Sequence, residues 1–487
     1  MIANQTRTQA SPQGDRILSE VPSISFITNS PRPRPEAHWP SHEGFVNLWF
    51  VHQDAVPPSH LGLTRSYHLA RGLQKRGHKV TVIASSFNHR AHTEILAPGE
   101  TMRRAIHGQV EFLWLRAPHY QGNSVSRVWN MLEFGRRVRH LVPKAGLASP
   151  DVVVGSSPSP FAALGALWLA ERYNVPFVLE LRDLWPQSLV DLGSVPLGHP
   201  FVRLLSWIER KLYYRAARIV SVLPNAAAYM IEKGADAERI DWIPNGVDLE
   251  LVPPPKPSVE DDFFTVFYAG AHGSANGLGT ILDAAERLQR NPAARHVQLR
   301  FVGDGADKPA LRRRASVAAL VNLRFDDAVP NSGLYEILAE ADAFVANVRS
   351  SPLYKYGIGM NKLYEYMAMA RPTAIALSAF NNPVAEAGAG LAVAADDAMG
   401  LARAIAGLAA MSPQERWAMG LRGRRYVEAH HDYTRLAVQF EESLQTALAV
   451  ARPRRCPARR LPHGKAWVGE AADGPPLSRE ARRARAQ

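Results

Sequence analysis

Cysteine is almost missing from this chain of 487 residues. The single one, Cys456, excludes an intrachain disulfide and points to a reducing compartment, read here as the cytosol. No run of about 18 apolar residues occurs and the N-terminus lacks a basic-then-apolar leader pattern, so neither a spanning helix nor secretion is expected. Any membrane contact is expected to be peripheral, on the inner face of the plasma membrane. No Asp-x-Asp or paired-His cluster stands out, so no metal ligand is assigned and no cofactor is expected. No G-x-G-x-x-G follows an opening strand, which argues against a dehydrogenase.

Acids are outnumbered, 45 against 57 Lys and Arg, for a formal charge of +12. The surplus is local: from Ala451 onward ten Lys/Arg face three acids, and the rest of the chain is only mildly basic. That distribution argues against a nucleic-acid groove in the folded part. The stretch 451–487 is rich in Pro, Gly and Ala and has few large apolar groups to bury, so it is expected to be a disordered basic tail. It reads either as a solvated extension or as a loose attachment to anionic headgroups. Residues 1–44 are Pro/Ser-rich and aperiodic and are expected to be disordered as well.

Between these tails the chain is long enough for two cores. Apolar strands are predicted at Val46–Val51, Val80–Ala84, Val110–Leu115, Val152–Val154, Phe177–Leu181, Ile219–Leu223 and Asp241–Ile243. Helices are predicted to end at Gly77 and to cover Phe161–Arg172 and Phe201–Ala216. Near-continuous apolar strands alternating with helices describe a doubly wound parallel sheet. The run Val252-Pro253-Pro254-Pro255-Lys256-Pro257 lacks several backbone donors and reads as a stiff linker. Alternation restarts at Thr265–Gly270, with strands at Leu299–Val302, Asn322–Phe325, Ala343–Ala346, Thr373–Leu377 and Leu391–Ala394, and one long helix from Pro413 to about Ala449. The expected fold class is α/β, two doubly wound Rossmann-like domains facing across a cleft. Their expected bounds are 45–252 and 263–430, with a linker at 253–262 and a helix at 431–450 returning to the first domain.

The densest chemistry lies in Tyr356-Gly357-Ile358-Gly359-Met360-Asn361-Lys362-Leu363-Tyr364-Glu365. Glycines let backbone N–H groups approach a ligand, and a helix opening near Asn361 favours phosphate at its positive end. Lys362 adds a full charge. Glu365, one turn on, has the geometry to accept two hydrogen bonds from a vicinal diol such as a ribose. Phosphate plus ribose means a nucleotide, although alone the segment also suits an ordinary βα turn with a solvated Lys and Glu.

The order of motifs resembles the family-4 retaining glycosyltransferases of GT-B fold, of the bacterial exopolysaccharide and O-antigen type. The matching elements are Pro57-Pro58-x-x-x-Gly62-x-Thr64-Arg65, Leu73-x-x-Arg76-Gly77-His78-x-Val80, Glu180-Leu181-Arg182-Asp183-Leu184-Trp185-Pro186, Ile243-Pro244-Asn245-Gly246-Val247-Asp248, Gly303-Asp304-Gly305, Ala341-Asp342-Ala343 and Asn361 to Pro372. The resemblance implies a nucleotide-sugar donor, transfer with retention and no essential metal; if the basic amphipathic stretch Arg127–Lys144 lies on a membrane, the expected acceptor is a lipid-linked saccharide, a polyprenyl diphosphate, in cell-surface polysaccharide synthesis. Candidate donor-binding residues are Gly62, Thr64, Arg65, Gly270, His272, Gly303, Arg349, Lys362, Leu363 and Glu365, with Lys355 as a further phosphate candidate. Candidate catalytic residues are Asp183, Glu180 and His60. Arg182 lies between Glu180 and Asp183, so a buried ion pair competes with a catalytic role there. Thr64 and Arg65 equally suit a helix cap and a solvated side chain.

Two departures from the family pattern stand out. Where relatives often carry a Glu eight residues before the one matching Glu365, this chain has Gly357. The Arg/Lys pair that many relatives place after the first strand of the second domain is replaced by Ala269-Gly270-Ala271-His272-Gly273. A GT-B-fold nucleotide-sugar epimerase and an inactive nucleotide-sugar-binding module therefore remain alternatives. Finally, Arg127–Lys144 mixes Trp129, Leu132 and Phe134 with Arg136, Arg137 and Arg139, a pattern that fits a helix lying on a membrane or one packed on its own sheet.

Overall fold

The computed structural model describes residues 45–122, 125–191, 195–196, 198–258 and 262–451. The readings made of 1–44 and of the basic stretch beyond 451 lie outside them. Apolar strands buried on both faces, with partly exposed strands at the two edges, build a first sheet of eight: β1 (Asn47–Val51), β2 (Lys79–Ser85), β3 (Met102–His107), β4 (Val110–Leu115), β5 (Val152–Ser156), β6 (Phe177–Leu181), β7 (Arg218–Ser221) and β8 (Ile240–Trp242). Their order is β8-β7-β6-β5-β1-β2-β4-β3. Every pairing is parallel except the edge hairpin β3/β4. A second sheet of six parallel strands follows: β9 (Phe264–Ala269), β10 (Val297–Val302), β11 (Leu323–Asp326), β12 (Ala343–Asn347), β13 (Thr373–Ala376) and β14 (Gly390–Val393), in the order β11-β10-β9-β12-β13-β14. The two-domain α/β reading holds.

Both sheets reverse direction of winding beside their first strand, between β1 and β5 and between β9 and β12. Loops leaving those strand pairs part to opposite faces and open a crevice at the carboxyl edge, the place where such sheets take ligands. Each domain therefore offers one crevice, fixed by strand order alone.

Two sequence expectations are corrected. Strand β3 was not foreseen: Met102-Arg103-Arg104-Ala105-Ile106-His107 is partly exposed along its length, as befits a charged edge strand, and so lacks the apolar run that marks the others. The single long helix after Pro413 is in fact two, Pro413–His430 and Tyr433–Ala451. The break follows from the Asn245-Gly246-Val247 segment, which docks there: Val247 N–H donates to His431 O at 2.8 Å, Tyr433 N–H donates to Val247 O at 3.0 Å, and the His431 ring stacks on Tyr364 at 3.9 Å.

The break turns the last helix back onto the first domain. Tyr433, Leu436, Phe440, Leu444 and Ala447 form one stripe buried against Leu48, Phe50, Leu69, Leu73 and Val82. Phe50 and Phe440 stack with centroids 5.8 Å apart. The helix Arg65–Lys75 runs alongside so closely that a Cβ on Gly72 would sit 2.5 Å from Ala437 Cβ. Removing the Phe440 ring is expected to cost about 3–5 kcal/mol, since the site is walled by sheet and helix and collapses poorly. Urea denaturation followed by circular dichroism should show Phe440→Ala with a much lower midpoint than Phe440→Leu.

Candidate active site

The second crevice is assembled around one ammonium. Helix Asn361–Ala368 starts at the carboxyl edge of the second sheet, after a short turn (Pro352–Tyr356) and the extended Gly357–Met360. Lys362 Nζ donates to Tyr268 OH and to Asn276 Oδ1, both at 2.8 Å, and lies 4.4 Å from the Tyr268 ring centroid. Gly270 makes room for it: a Cβ there would stand 3.0 Å from Lys362 Nζ, and φ is +154°. Asn347 Nδ2 donates to Gly277 O at 3.1 Å, and the Arg349 stem lies against Gly277. Lys362, Gly270 and Arg349 thus belong to one site, where the loops after β9 and β12 separate.

Glu365 sits one helical turn from Lys362, and among the described residues nothing donates a hydrogen bond to its carboxylate. Burial pushes Glu365 up to about 7, against the pull of Lys362. Burial likewise draws Lys362 down to about 7; Glu365 opposes this, and Arg90, reaching across from the first domain, adds to it. Arg90 belongs to the loop between the short antiparallel strands Phe87–Asn88 and Thr93–Glu94.

The facing wall comes from the first domain. Asp54, three residues beyond β1, pairs with His89 at 3.4 Å; burial works against its ionisation, but His89 holds it down to about 2. Asp183 follows β6, its Oδ1 accepting from Leu184 N–H at 2.8 Å and its Oδ2 from Ser188 Oγ at 3.2 Å. Burial raises its pKa despite those donors. Its charge is felt by Tyr354 on the second domain, so the two walls meet here. They are stitched by Asn225, whose N–H donates to Tyr356 O at 3.1 Å and whose side chain donates to Lys355 O at 2.8 Å, and by Ser332 N–H donating to Pro58 O at 3.1 Å.

Five assignments made from sequence do not fit their surroundings. Glu180 is fully buried: Arg65 Nε donates to it at 2.8 Å and Ser156 Oγ at 2.5 Å. Burial opposes its ionisation, but Arg65, Arg182 and Ser156 together hold it below the usual carboxylate range. It is a structural anion, not a cleft carboxylate. Arg65 is equally buried and donates onward to Ile243 O (2.9 Å) and Pro244 O, so it ties the segment joining the domains to β6 and contacts no cleft. His60 packs edge-on against His107 (5.8 Å) and beside Trp114, over the β3/β4 hairpin, and its ring shares a hydrogen bond with adjacent Ser59. The Leu363 side chain is wholly in the core and its N–H is taken by Met360 O. His272 is fully enclosed, its N–H donating to Asp304 O at 2.8 Å and its ring packed near Phe301 and Phe325; burial, then Lys308, lowers its pKa to about 4, so it supplies no cation.

The glycines and Thr64 serve the backbone. A Cβ on Gly62 would meet Val56 at 2.8 Å, and one on Gly303 would strike Gly270 O at 2.0 Å. Thr64 caps the helix Arg65–Lys75 without a side-chain hydrogen bond. Lys355 lies over the Tyr356 ring at 4.9 Å. Residues that sequence reading passed over include Asn276 and Tyr268, which orient Lys362, and Asp54, whose place just past an opening strand was the available signal. Gly357, where relatives often carry Glu, has φ +94° and a Cβ there would lie 2.6 Å from Pro224 of the first domain. The glycine is required where it stands, and no carboxylate fits without moving the interface. No group of three or more His, Cys, Asp or Glu among the described residues is placed to hold a metal.

Comparison with known proteins agrees with this architecture. Residues 63–246 match the family described as glycosyl transferase 4-like domain, and residues 264–411 match glycosyl transferases group 1. WcaI of Escherichia coli (strain K12), named for glycosyl transfer in colanic acid biosynthesis, is 24% identical over 188 residues, which cover 36% of this chain and 45% of that protein. WbjE of Pseudomonas aeruginosa, named as a glycosyltransferase, is 27% identical over 251 residues, covering 48% of this chain and 60% of that one. The chain thus spans about half the length of the curated relatives it matches. Among solved structures, sucrose-phosphate synthase from Thermosynechococcus elongatus aligns with a TM-score of 0.64 at 16% identity, over 83% of this chain and 100% of that one. Anabaena HepE in complex with UDP-glucose aligns with a TM-score of 0.56 at 14% identity, over 82% and 100%.

The Arg65–Glu180 assignment has a thermodynamic signature. Arg65→Met leaves a buried carboxylate unpaired and should cost about 3–5 kcal/mol, while the double variant Arg65→Met/Glu180→Met should recover much of that loss. Chemical denaturation of the three proteins checks it; a double variant worse than the single would contradict the ion-pair reading.

Proposed function

Since the chain belongs to the glycosyltransferases of GT-B fold, with a 4-like first domain and a group 1 second domain, we propose that it moves a hexosyl or N-acetylhexosaminyl group from a nucleotide-sugar to a lipid-linked saccharide. We assign it to cell-surface polysaccharide synthesis at the cytoplasmic face of the membrane, with retention of anomeric configuration. The observation that carries this reading is the placement of Lys362 and Glu365 on the first turns of one helix, at the winding reversal of the second sheet, with the Glu365 carboxylate bearing no hydrogen bond from the described protein. HepE, similar in fold, was solved with UDP-glucose, which supports a donor of that class; the named role of WcaI in colanic acid biosynthesis supports the polysaccharide context.

In this reading Glu365 accepts the ribose hydroxyls, and Lys362, the start of its helix and Arg349 face the diphosphate. As the glycosidic bond breaks, negative charge grows on the leaving diphosphate and the anomeric carbon becomes cation-like. Stabilising that departing charge is the protein's main task. Arg90 adds a cation from the opposite wall once the walls close and exclude water. Asp183, beside the incoming acceptor, steadies the reacting sugar or orients the attacking hydroxyl.

The pKa values give this proposal a pH signature. A diphosphate binds the ammonium form of Lys362, whose free pKa is about 7, so affinity falls as pH rises above 7, at most about tenfold per unit. A diol prefers ionised Glu365, also near 7 when free, so affinity falls as pH drops below 7. Titration calorimetry with UDP, GDP, ADP and TDP should therefore find, for the nucleotide that binds, a maximum near neutrality. Glu365→Gln should keep only the alkaline fall. Lys362→Arg, whose guanidinium stays charged, should keep only the acid fall. A folded Glu365→Ala protein with unchanged transfer would reject the site.

A further inference from the structure

The helix Pro200–Arg215 crosses over from β6 to β7 and buries Val202, Leu205, Ile208, Leu212 and Tyr213. One such stripe is all that a crossover helix needs, and its outer face should be polar. Instead Leu204, Trp207 and Tyr214 stand 45%, 58% and 77% exposed, at spacings that put them on a single outer stripe. Arg203, Arg210 and Lys211 flank them on exposed positions, Lys211 Nζ sits 5.5 Å over the Trp207 ring, and Arg215 is paired with Glu171 at 2.8 Å. The helix's one acid, Glu209, is buried and accepts from Tyr213 OH at 3.0 Å and Tyr229 OH at 2.9 Å.

The neighbouring helices continue the pattern. Pro160–Tyr173 packs between Pro200–Arg215 and Val125–Leu141. Its Trp168 has Arg139 at 4.7 Å and Arg172 at 5.4 Å over the ring. On Val125–Leu141, Trp129 and Leu132 are 59% and 39% exposed, while Met131, Phe134 and Val138 are buried in the first domain's core and Arg136 and Arg137 are engaged with Glu133. Val125 is 86% exposed as well, so exposed apolar groups occur both on Pro200–Arg215 and on the helix whose sequence suggested membrane contact, and Arg203, Arg210 and Lys211 add exposed cations on the former.

We propose that this face, led by Leu204, Trp207 and Tyr214, docks the protein on an anionic phospholipid surface. Tryptophan and tyrosine rings with Lys and Arg beside them suit the headgroup plane, where apolar bodies enter the acyl boundary and cations meet phosphates. A second copy is a poor occupant, because a two-fold contact would set these cations against themselves. No described helix is long and apolar enough to cross a bilayer, so the contact lies in the surface plane. The helix begins at the carboxyl edge of the first sheet, where Asp183 sits, which brings the lipid plane beside the cleft. The inference deepens the lipid-linked acceptor reading and rests on it for its purpose.

The test is co-sedimentation of the full chain with phosphatidylcholine vesicles, with and without phosphatidylglycerol. Wild type should pellet with the anionic vesicles and be released by salt. Trp207→Ser/Tyr214→Ser should weaken binding about tenfold or more, and Arg210→Gln or Lys211→Gln about fivefold each, with unchanged thermal melts and unchanged nucleotide binding. Undiminished pelleting of the double Ser variant, as attachment through the basic C-terminal stretch would give, overturns the proposal. So does a wild-type dimer in light scattering that the same substitutions dissociate. Because pelleting needs no donor, vesicle binding without sugar transfer would leave this surface standing and sink the transferase reading, while transfer by a protein that never pellets would do the reverse.

Discussion

The relation between the two domains depends on the buried guanidinium of Arg65. It joins the loop after β1, through its own helix, to Glu180 on β6 and to the carbonyls of Ile243 and Pro244, where the chain leaves the first sheet. The next residue, Asn245, donates to Gly359 O at 2.6 Å, two residues before the helix that carries Lys362 and Glu365. One unbroken path of charge-assisted and amide hydrogen bonds thus runs from the centre of the first sheet to the start of that helix. Inside protein such bonds strengthen one another, and losing one partner leaves a buried charge uncompensated. Glu180-x-Arg182-Asp183 then divides its labour: the first carboxylate fixes the frame, and the second remains at the cleft.

Against that frame the second domain holds its own charges in tension. Lys362 and Glu365 are drawn toward neutrality by burial, each relieved in part by the other. Among the described residues neither forms a salt bridge; Tyr268 and Asn276 position the ammonium without neutralising it. A site kept in this condition gains most from a ligand that brings both an anion and a diol, because part of the desolvation of the protein groups precedes the ligand's arrival.

Much of the architecture could be read from the chain because parallel strands buried on both faces leave continuous apolar runs, and crossover helices leave a period of 3.6. Strand β3 escaped because an exposed edge strand carries Arg103, Arg104 and His107, which break the run. The bound at 430/431 was legible but the break of the helix there was not, because nothing local demands it: Val247, far earlier in the chain, inserts there. At the site the legible part was the glycine-rich turn into Asn361, where spacing alone places Lys362 and Glu365. The illegible part was which polar residues face the cleft. Arg65 and Glu180 look as functional in sequence as Asp183 does, and only their mutual burial tells them apart. Asn276 and Arg90 gave no signal, since Lys362, which the first binds and the second repels, lies far away in the chain.

Gly357 shows why the departure from the family pattern is more than a lost carboxylate. Its left-handed backbone turns the chain out of the Pro352–Tyr356 turn, and its missing side chain lets Pro224 of the first domain approach. Asn381 then holds Ile358 N–H at 2.7 Å, fixing the entry to the helix. The space that a glutamate would occupy has become a point of contact between the domains. Under the proposed function, charge that relatives place on that loop has to come from elsewhere, and Asp183, opposite Tyr354 on the same turn, is the carboxyl that the first domain presents there. On that reading the carboxyl beside Tyr354 comes from the first domain, so its use depends on how tightly the two walls are held.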